Sequence, residues 1–366
     1  MRFNEVRLAK KRACPKGIKA VLETEFSVPA SENEVTKEWL QVVLATTFPD
    51  ATFDTLESKR IGEAYGFASR IFRFQWQDNK ASQSVVIKLW DTDSNAGIGE
   101  VQFYQTFKDV GTRTPLCFFS GVDEKKKKAV LVLEDLQDAA QGDVLVQLDL
   151  ARAKGIAHSL AKLHATWLEH PKLAELTWVP DVSIWTRTND WFQSRRALFL
   201  ERFPNNLGGF ARLLLDKIEF APQIANERLK DAPKTLLHGD FHLDNIVFES
   251  QTEPVLLDWS RPVKGSPTLN LVPLLFFMTP LDKFDTVFDY YCDEFEEIAE
   301  SSLNRTAFKK QLGGDFLRAF SLSTCGVARW QPQLKRGVQI LNTSIKQNNE
   351  VVNFWFERDP ELFSFL

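Results

Sequence analysis

Three polar residues in the second half of the chain have the types and spacing to handle a phosphoryl group. His238-Gly239-Asp240-Phe241-His242-Leu243-Asp244-Asn245 places a carboxylate and an amide five residues apart, between the β-type stretches Thr235 to Leu237 and Asn245 to Glu249. Thirteen residues after Asn245, at the end of the next such stretch, Leu257-Asp258-Trp259 offers a second carboxylate. Phosphoryl transfer asks a protein for little covalent chemistry and much positioning: a carboxylate on the accepting hydroxyl, metal ligands on the phosphates and a cation on the nucleotide. Mg²⁺ prefers hard oxygen ligands and keeps several waters, so Asp258 and Asn245 are its candidate ligands beside phosphate oxygens. That leaves Asp240 to face the accepting hydroxyl, orient it and take its proton.

Periodicity shows which elements must carry these residues. Ser31 followed by Glu34 opens a stretch in which Val35, Trp39, Leu40 and Val43 recur at helical spacing, which predicts a capped amphipathic helix up to about Phe48, ended by Pro49. From Ser58 to Leu89 the pattern is β-type, with a polar turn at Gln77 to Ser82 and the apolar run Val85, Val86, Ile87. A polar linker, Asp91 to Gly99, precedes Glu100, Phe103, Tyr104 and Phe107 on one helix face. Leu116 to Val122 and Ala129 to Leu133 read as strands joined by a tip at Lys125 to Lys128, a solvated turn with a phosphate or partner contact as the minor reading. Beyond Leu136 the chain turns helical, with Ile156, Leu160, Leu163 and Trp167 in helical period and one β island around the loop at Asp240. Residues 1–133 are expected to form an N-terminal lobe with a leading helix, 134–136 a hinge, and 137–366 a C-terminal lobe holding the loop and a substrate pocket.

In order and content, His238 to Asn245 followed by Leu256-Leu257-Asp258-Trp259 resembles the Brenner-type loop and metal-binding aspartate of aminoglycoside phosphotransferases and choline kinases. Val86-Ile87-Lys88 ends a strand as the nucleotide-binding lysine of that superfamily does. The resemblance implies that Lys88 binds the α and β phosphates of ATP and that Glu100 holds it in place. It also implies a loop over the phosphates at Gly62 to Ser69, with Ser69 and backbone amides near Gly66 as contacts. That segment lacks the full three-glycine spacing, and no Walker-type sequence occurs in the chain. Leu131 to Leu136 is similar to the hinge that receives the adenine edge, which would put Glu134 and Leu136 beside the base.

Leu160 to Trp167 and Trp178-Val179-Pro180 resemble the ecdysteroid-kinase-like, or CHK-kinase-like, branch; the likeness extends over about residues 55 to 275. The implied fold is α+β, protein-kinase-like and two-lobed, with a small antiparallel-sheet N-lobe and a larger, mainly helical C-lobe. The implied activity is an ATP- and Mg-dependent phosphotransferase acting on a hydroxyl of a small molecule: an amino alcohol, a steroid-like alcohol or another alcohol. One departure stands out: where relatives carry aspartate in a Gly-x-Pro-x-x-Asp-Leu pattern, this chain has Gly265-Ser266-Pro267-Thr268-Leu269-Asn270-Leu271. Asn270 keeps hydrogen bonding there and loses the charge.

Composition closes off other classes. A formal net charge of -4, with basic residues scattered among acidic ones, leaves no footprint for a nucleic-acid backbone. Cys14, Cys117, Cys292 and Cys325 lie too far apart for a zinc spacing or a disulfide framework, so reduced thiols are expected. Met1 to Gly17 reads as neither secretory signal nor anchor, and Leu269 to Met278 is too short to span a bilayer and contains Pro273. A cytoplasmic protein with no membrane partner, monomeric or homodimeric, is expected.

Other residues carry plainer readings. His238 is expected to brace the loop, His158 and His164 to be structural, His170 to be exposed, and Asp244 to be a solvated loop acid; His242 is balanced between support and phosphate contact, and Arg261 between a phosphate and a salt bridge. The acids at Asp293-Glu294-Phe295-Glu296-Glu297 have the spacing of a solvated helix face, which argues against a pocket for polycationic antibiotics. The thirty phenylalanines and ten tryptophans are mostly packing, with a subset open to lining a pocket for an apolar alcohol or a quaternary ammonium. Two rivals stand beside the enzyme. One is a nucleotide- or partner-binding pseudokinase; the other is a protein kinase, disfavoured because Asp258-Trp259-Ser260 leads to no activation segment ending in Ala-Pro-Glu.

Overall fold

A computed structural model describes residues 28–62, 69–78, 81–91, 96–182, 187–217 and 232–360. Strands β1 (Glu57–Ile61), β2 (Arg70–Asp78), β3 (Ala81–Asp91), β4 (Cys117–Asp123) and β5 (Lys128–Glu134) form an antiparallel sheet in the order β1-β2-β3-β5-β4. Alternation along β3 decides what each face does. Val85, Ile87 and Leu89 point into a core with Trp39, Leu40, Phe53, Phe74 and Trp76, while Lys88 and Trp90 face the other way.

The leading helix α1 (Lys37–Leu44) starts later than the Ser31 pattern predicts, because Thr36 caps it by accepting from the Trp39 N–H at 3.2 Å. Glu34 still accepts from the Ser31 hydroxyl and the Ala30 N–H, but around a 3₁₀ turn at Glu32–Glu34. Helix α2 (Ala96–Thr106) packs under the sheet and belongs to two cores at once. Val101 joins Trp90, Ala129 and Leu131 below the sheet, whereas Phe103 and, just past the helix end, Phe107 enter the core of the large lobe.

That lobe is mostly helical. Helix α3 (Leu150–Trp167), capped by Asp149, is buried along Ile156, Leu160 and Leu163 and runs against α8 (Phe284–Ala299). Between them in sequence lie α4 (Pro171–Glu175), α5 (Asn189–Arg202), α6 (Gly209–Asp216) and α7 (Thr268–Val272). Residues Pro273–Met278 form a π-helical turn, and α9 (Arg305–Val327) and α10 (Lys335–Arg358) close the lobe.

The β island is two sheets rather than one. β6 (Ala140–Gln141), β8 (Ile246–Ser250) and β9 (Glu253–Leu256) form one; β7 (Thr235–Leu237) pairs with β10 (Val263–Gly265) in the other. Among the described residues no helix is long and apolar enough to cross a membrane.

Candidate active site

Lys88 leaves the sheet on the α2 side and meets Glu100, with Nζ 2.5 Å from Oε2 and a second carboxylate oxygen, on Asp258, 3.8 Å away. Both Lys88 and Glu100 are buried. Burial favours a neutral lysine, but Glu100 and Asp258 outweigh it and hold Lys88 above its usual value. Burial pushes Glu100 up to about 7 against the pull of Lys88.

Glu100 reaches this point because Gly99 lets α2 press against the backbone after Asp258: a Cβ at Gly99 would sit 2.4 Å from the Ser260 carbonyl oxygen. Phe103, one turn on, stacks on Trp259 with ring centroids 4.3 Å apart and planes within 9°. These contacts bind the helix carrying Glu100 to the turn carrying Asp258.

The loop after β7 is held from below by two neutral histidines. His238 is fully buried, and its Nε2 lies 2.7 Å from the Leu257 carbonyl, which can only accept, so Nε2 carries the hydrogen and Nδ1 accepts from the Asp240 N–H at 3.3 Å. Burial pulls its pKa below the usual value. Asn270 Oδ1 accepts from the His238 N–H at 3.4 Å and from His164 Nε2 at 3.3 Å, leaving His164 Nδ1 to accept from the Tyr291 hydroxyl at 2.9 Å. An amide at position 270 thus anchors the loop backbone without a charge.

Burial pulls His164 down to about 4, with the Asn270 bond opposing. A depressed histidine adds stability that is present above its unfolded value of 6.5 and is lost as pH falls through 4. The loss should be about 3 kcal/mol over that window. Urea midpoints measured across the window should fall more steeply in the wild type than in His164→Gln; parallel slopes would contradict this assignment.

Asp240 and His242 sit above this base, with Oδ1 and Nε2 3.7 Å apart. Burial raises the Asp240 pKa, but His242 outweighs it and holds the carboxyl below its usual value. Asn245 Nδ2 donates to the Asp240 carbonyl at 2.9 Å and to His242 Nε2 at 3.1 Å. Both bonds use the nitrogen, so the orientation of the amide is fixed and its oxygen is turned the other way.

Asp258 adopts a left-handed backbone (φ 57°), an unusual conformation for an aspartate, and its side chain is 39% exposed to the cleft. Burial raises its pKa, but Lys88 and Ser260 outweigh that and hold it ionised. An amide oxygen and a carboxylate are the hard donors that Mg²⁺ takes when phosphates complete its shell. Among the described residues no group of three or more His, Cys, Asp and Glu could hold a metal alone.

A cavity of about 640 Å³ is lined by Lys88, Glu100, Asp240, Asn245 and Asp258 together, and by Ser69, Glu134 and Leu136 at its edges. Its size suits a nucleotide. Gly66 lies outside the described residues. The Glu134 side chain is engaged elsewhere, pairing with Arg113 at 2.9 Å and accepting from the Leu116 N–H at 3.0 Å.

Asp244 is not the solvated acid expected. Its side chain is 9% exposed, accepts from the Val144 N–H at 3.1 Å and is clamped by Arg336 at 2.7 Å. Arg336 also holds Asp143 at 2.9 Å, tying α10 to the loop. No local spacing announces a partner 92 residues away. Arg73, bonded to Asp135 at 2.6 Å on the cavity wall, was equally silent in the sequence.

Similar solved structures share this fold at low identity. One is a provisionally assigned aminoglycoside phosphotransferase from Ralstonia eutropha (12% identity, TM-score 0.54, covering 88% of this chain and 98% of that one). Another is a mutant aminoglycoside 2'-phosphotransferase-IIIa bound to GDP (13%, TM-score 0.53, 88% and 99%). A third is an ethanolamine kinase of Plasmodium vivax (13%, TM-score 0.50, 92% and 95%). The fold is therefore the two-lobed α+β kinase-like one. No curated protein matches the sequence. The sequence model of the phosphotransferase enzyme family, APH, matches residues 66–301, a span that includes Lys88, the loop at Asp240 and Asp258, and the chain belongs to that family.

Proposed function

We propose that the protein moves the γ-phosphoryl group of ATP, with Mg²⁺, onto a hydroxyl of a small molecule. The observation that carries this reading is the convergence on one cavity of Lys88, Glu100, Asp240, Asn245 and Asp258, which come from separate stretches of the chain. Lys88 meets the α and β phosphates and Glu100 fixes it there. Asn245 and Asp258 would hold the metal, whose chemistry is to neutralise phosphate charge and bridge phosphate oxygens. Asp240 orients the accepting hydroxyl. Its depressed pKa keeps it ionised at neutral pH, which suits a loose transition state that transfers the proton late. The adenine edge lies against the backbone of Glu134 to Leu136, and Ser69, on the cavity wall, meets the phosphates.

The similar structures include an ethanolamine kinase and an aminoglycoside phosphotransferase, both named for small hydroxylated acceptors, which supports a small-molecule acceptor here. Mg-ATP should raise the melting temperature, ATP with a chelator should do so far less, and Lys88→Ala should remove most of the gain; saturating ligand at a hundred times Kd adds about 2.7 kcal/mol. A metabolite extract treated with enzyme and Mg-ATP should yield a product heavier by one phosphoryl group. Stabilisation by Mg-ATP without turnover on a broad alcohol panel would identify a pseudokinase module instead.

A further inference from the structure

Behind the catalytic loop lies a second cavity of about 240 Å³, walled by Phe241, His242 and Leu243 of the loop, by Phe277 and Met278 of the π turn, and by α9 and α10. His242 is the residue that both cavities share. Among the described residues the lining holds no aspartate, glutamate, lysine or arginine. An acceptor carrying an ammonium group would be desolvated there with no carboxylate to meet it, at a cost that hydrogen bonds to neutral groups do not recover.

Two lining residues have an unmet polar atom. Asn245 donates to His242 Nε2, so the hydrogen of the neutral imidazole sits on Nδ1, and an imidazolium carries one there as well; Nδ1 is buried without a partner among the described residues. Asn348, 1% exposed, bonds Ser323 and Thr324 with one end of its amide, and the other end has no partner among the described residues. Each unmet atom costs free energy that a ligand offering a partner would recover. A hydroxyl both donates and accepts, so one brought up to the Asn348 amide by a small shift of the lining would satisfy it whichever way the amide is turned.

We propose that this cavity seats the phosphoryl acceptor, an uncharged alcohol with an apolar body and a second hydroxyl, which places its reacting hydroxyl beside His242 and next to Asp240. An apolar cavity of about 150 Å³ holds benzene, so this one holds roughly ten non-hydrogen atoms by proportion. The inference rests on the phosphotransfer reading above and narrows it, setting this chain apart from kinases of amino alcohols.

The test uses the full chain with Mg-ATP and two probes: cyclohexanedimethanol, and the same molecule with one hydroxyl replaced by an amine. The diol should be phosphorylated with kcat/KM at least about tenfold above the amine. Ser344→Phe, which narrows the cavity from α10, should raise the KM of the diol by about tenfold or more and leave that of Mg-ATP unchanged. Thr343→Asp, which adds a carboxylate to the lining, should shift preference toward the amine, and it serves as the second readout if the bulky variant fails to fold. Equal or greater use of the amine by the wild type, an unchanged diol KM in Ser344→Phe, or binding of the diol without phosphorylation each overturns the inference. So does failure of both probes to stabilise the protein at millimolar concentration. If in any of these cases the wild type is stabilised by Mg-ATP and phosphorylates the amine or another alcohol of a broad panel, the phosphotransfer reading survives; if Mg-ATP gives no stabilisation, both fall.

Discussion

Asp240→Asn should lower turnover by about 10³-fold, within the range that a positioned general base contributes, while Mg-ATP affinity stays within a few fold. The split follows from geometry. Asp240 lines the cavity on the loop side, whereas Lys88 is bound to Glu100 and Asp258. Asparagine keeps the shape of the side chain and can still meet His242, so the loop should hold its place. What disappears is a lone pair able to take the proton of the acceptor. Single-turnover measurements with saturating nucleotide read this directly, and equal rates in the two proteins would remove Asp240 from the chemistry.

Gly239→Ala should be as damaging by a different route. Gly239 has φ +83°, and a Cβ there would lie 1.7 Å from the Arg261 carbonyl oxygen, a backbone atom that cannot rotate away. The left-handed conformation alone costs an alanine about 1–2 kcal/mol, and the clash forces the loop off Arg261 in addition. A shift of about 1 Å in the group beside it is enough to cost roughly 10²-fold in rate. The variant should therefore show a lower denaturant midpoint and a turnover loss of about 10²-fold or more. Unlike Asp240→Asn, it should also weaken Mg-ATP, because Arg261 follows the turn that carries Asp258. Wild-type stability in the alanine variant would show that this close approach is not required.

Much of the candidate site was legible because its polar residues sit in contiguous segments. The loop from His238 to Asn245 and the turn at Asp258 each place their polar residues at strand ends, and the apolar run Val85 to Ile87 marked the strand that carries Lys88, though not which of its residues face the core. That there are two lobes was expected from the change of period near Leu136. What escaped the sequence is what has no period. Thr235 to Leu237 was read as β-type, but its partner β10, three residues long, is too short to alternate visibly, and the pairing of the two spans the whole loop at Asp240. The Arg336 clamp joins α10 to Asp244 across a distance in sequence that no spacing rule reaches, so Asp244 read as a solvent-facing acid. The start of α1 was misplaced for a local reason: Ser31 with Glu34 and Thr36 are competing caps, and the former closes only a 3₁₀ turn.

Asn270 ties the loop to the helices beneath it without a charge. Its oxygen serves both His238 and His164, so the base of the site is a chain of neutral hydrogen bonds running to Tyr291. A carboxylate at this position would favour an imidazolium at His164.

Helix α2 makes the two lobes share a single piece of furniture. Swinging it outward, as an on-off control would require, would strip Phe103 and Phe107 from their places against Trp259 and Trp167, at about 2 kcal/mol for each ring returned to water and about 1 kcal/mol more for the lost stack. A penalty near 5 kcal/mol leaves the disengaged form below about one molecule in a thousand. An on-off control that works by displacing this helix is therefore disfavoured by its packing.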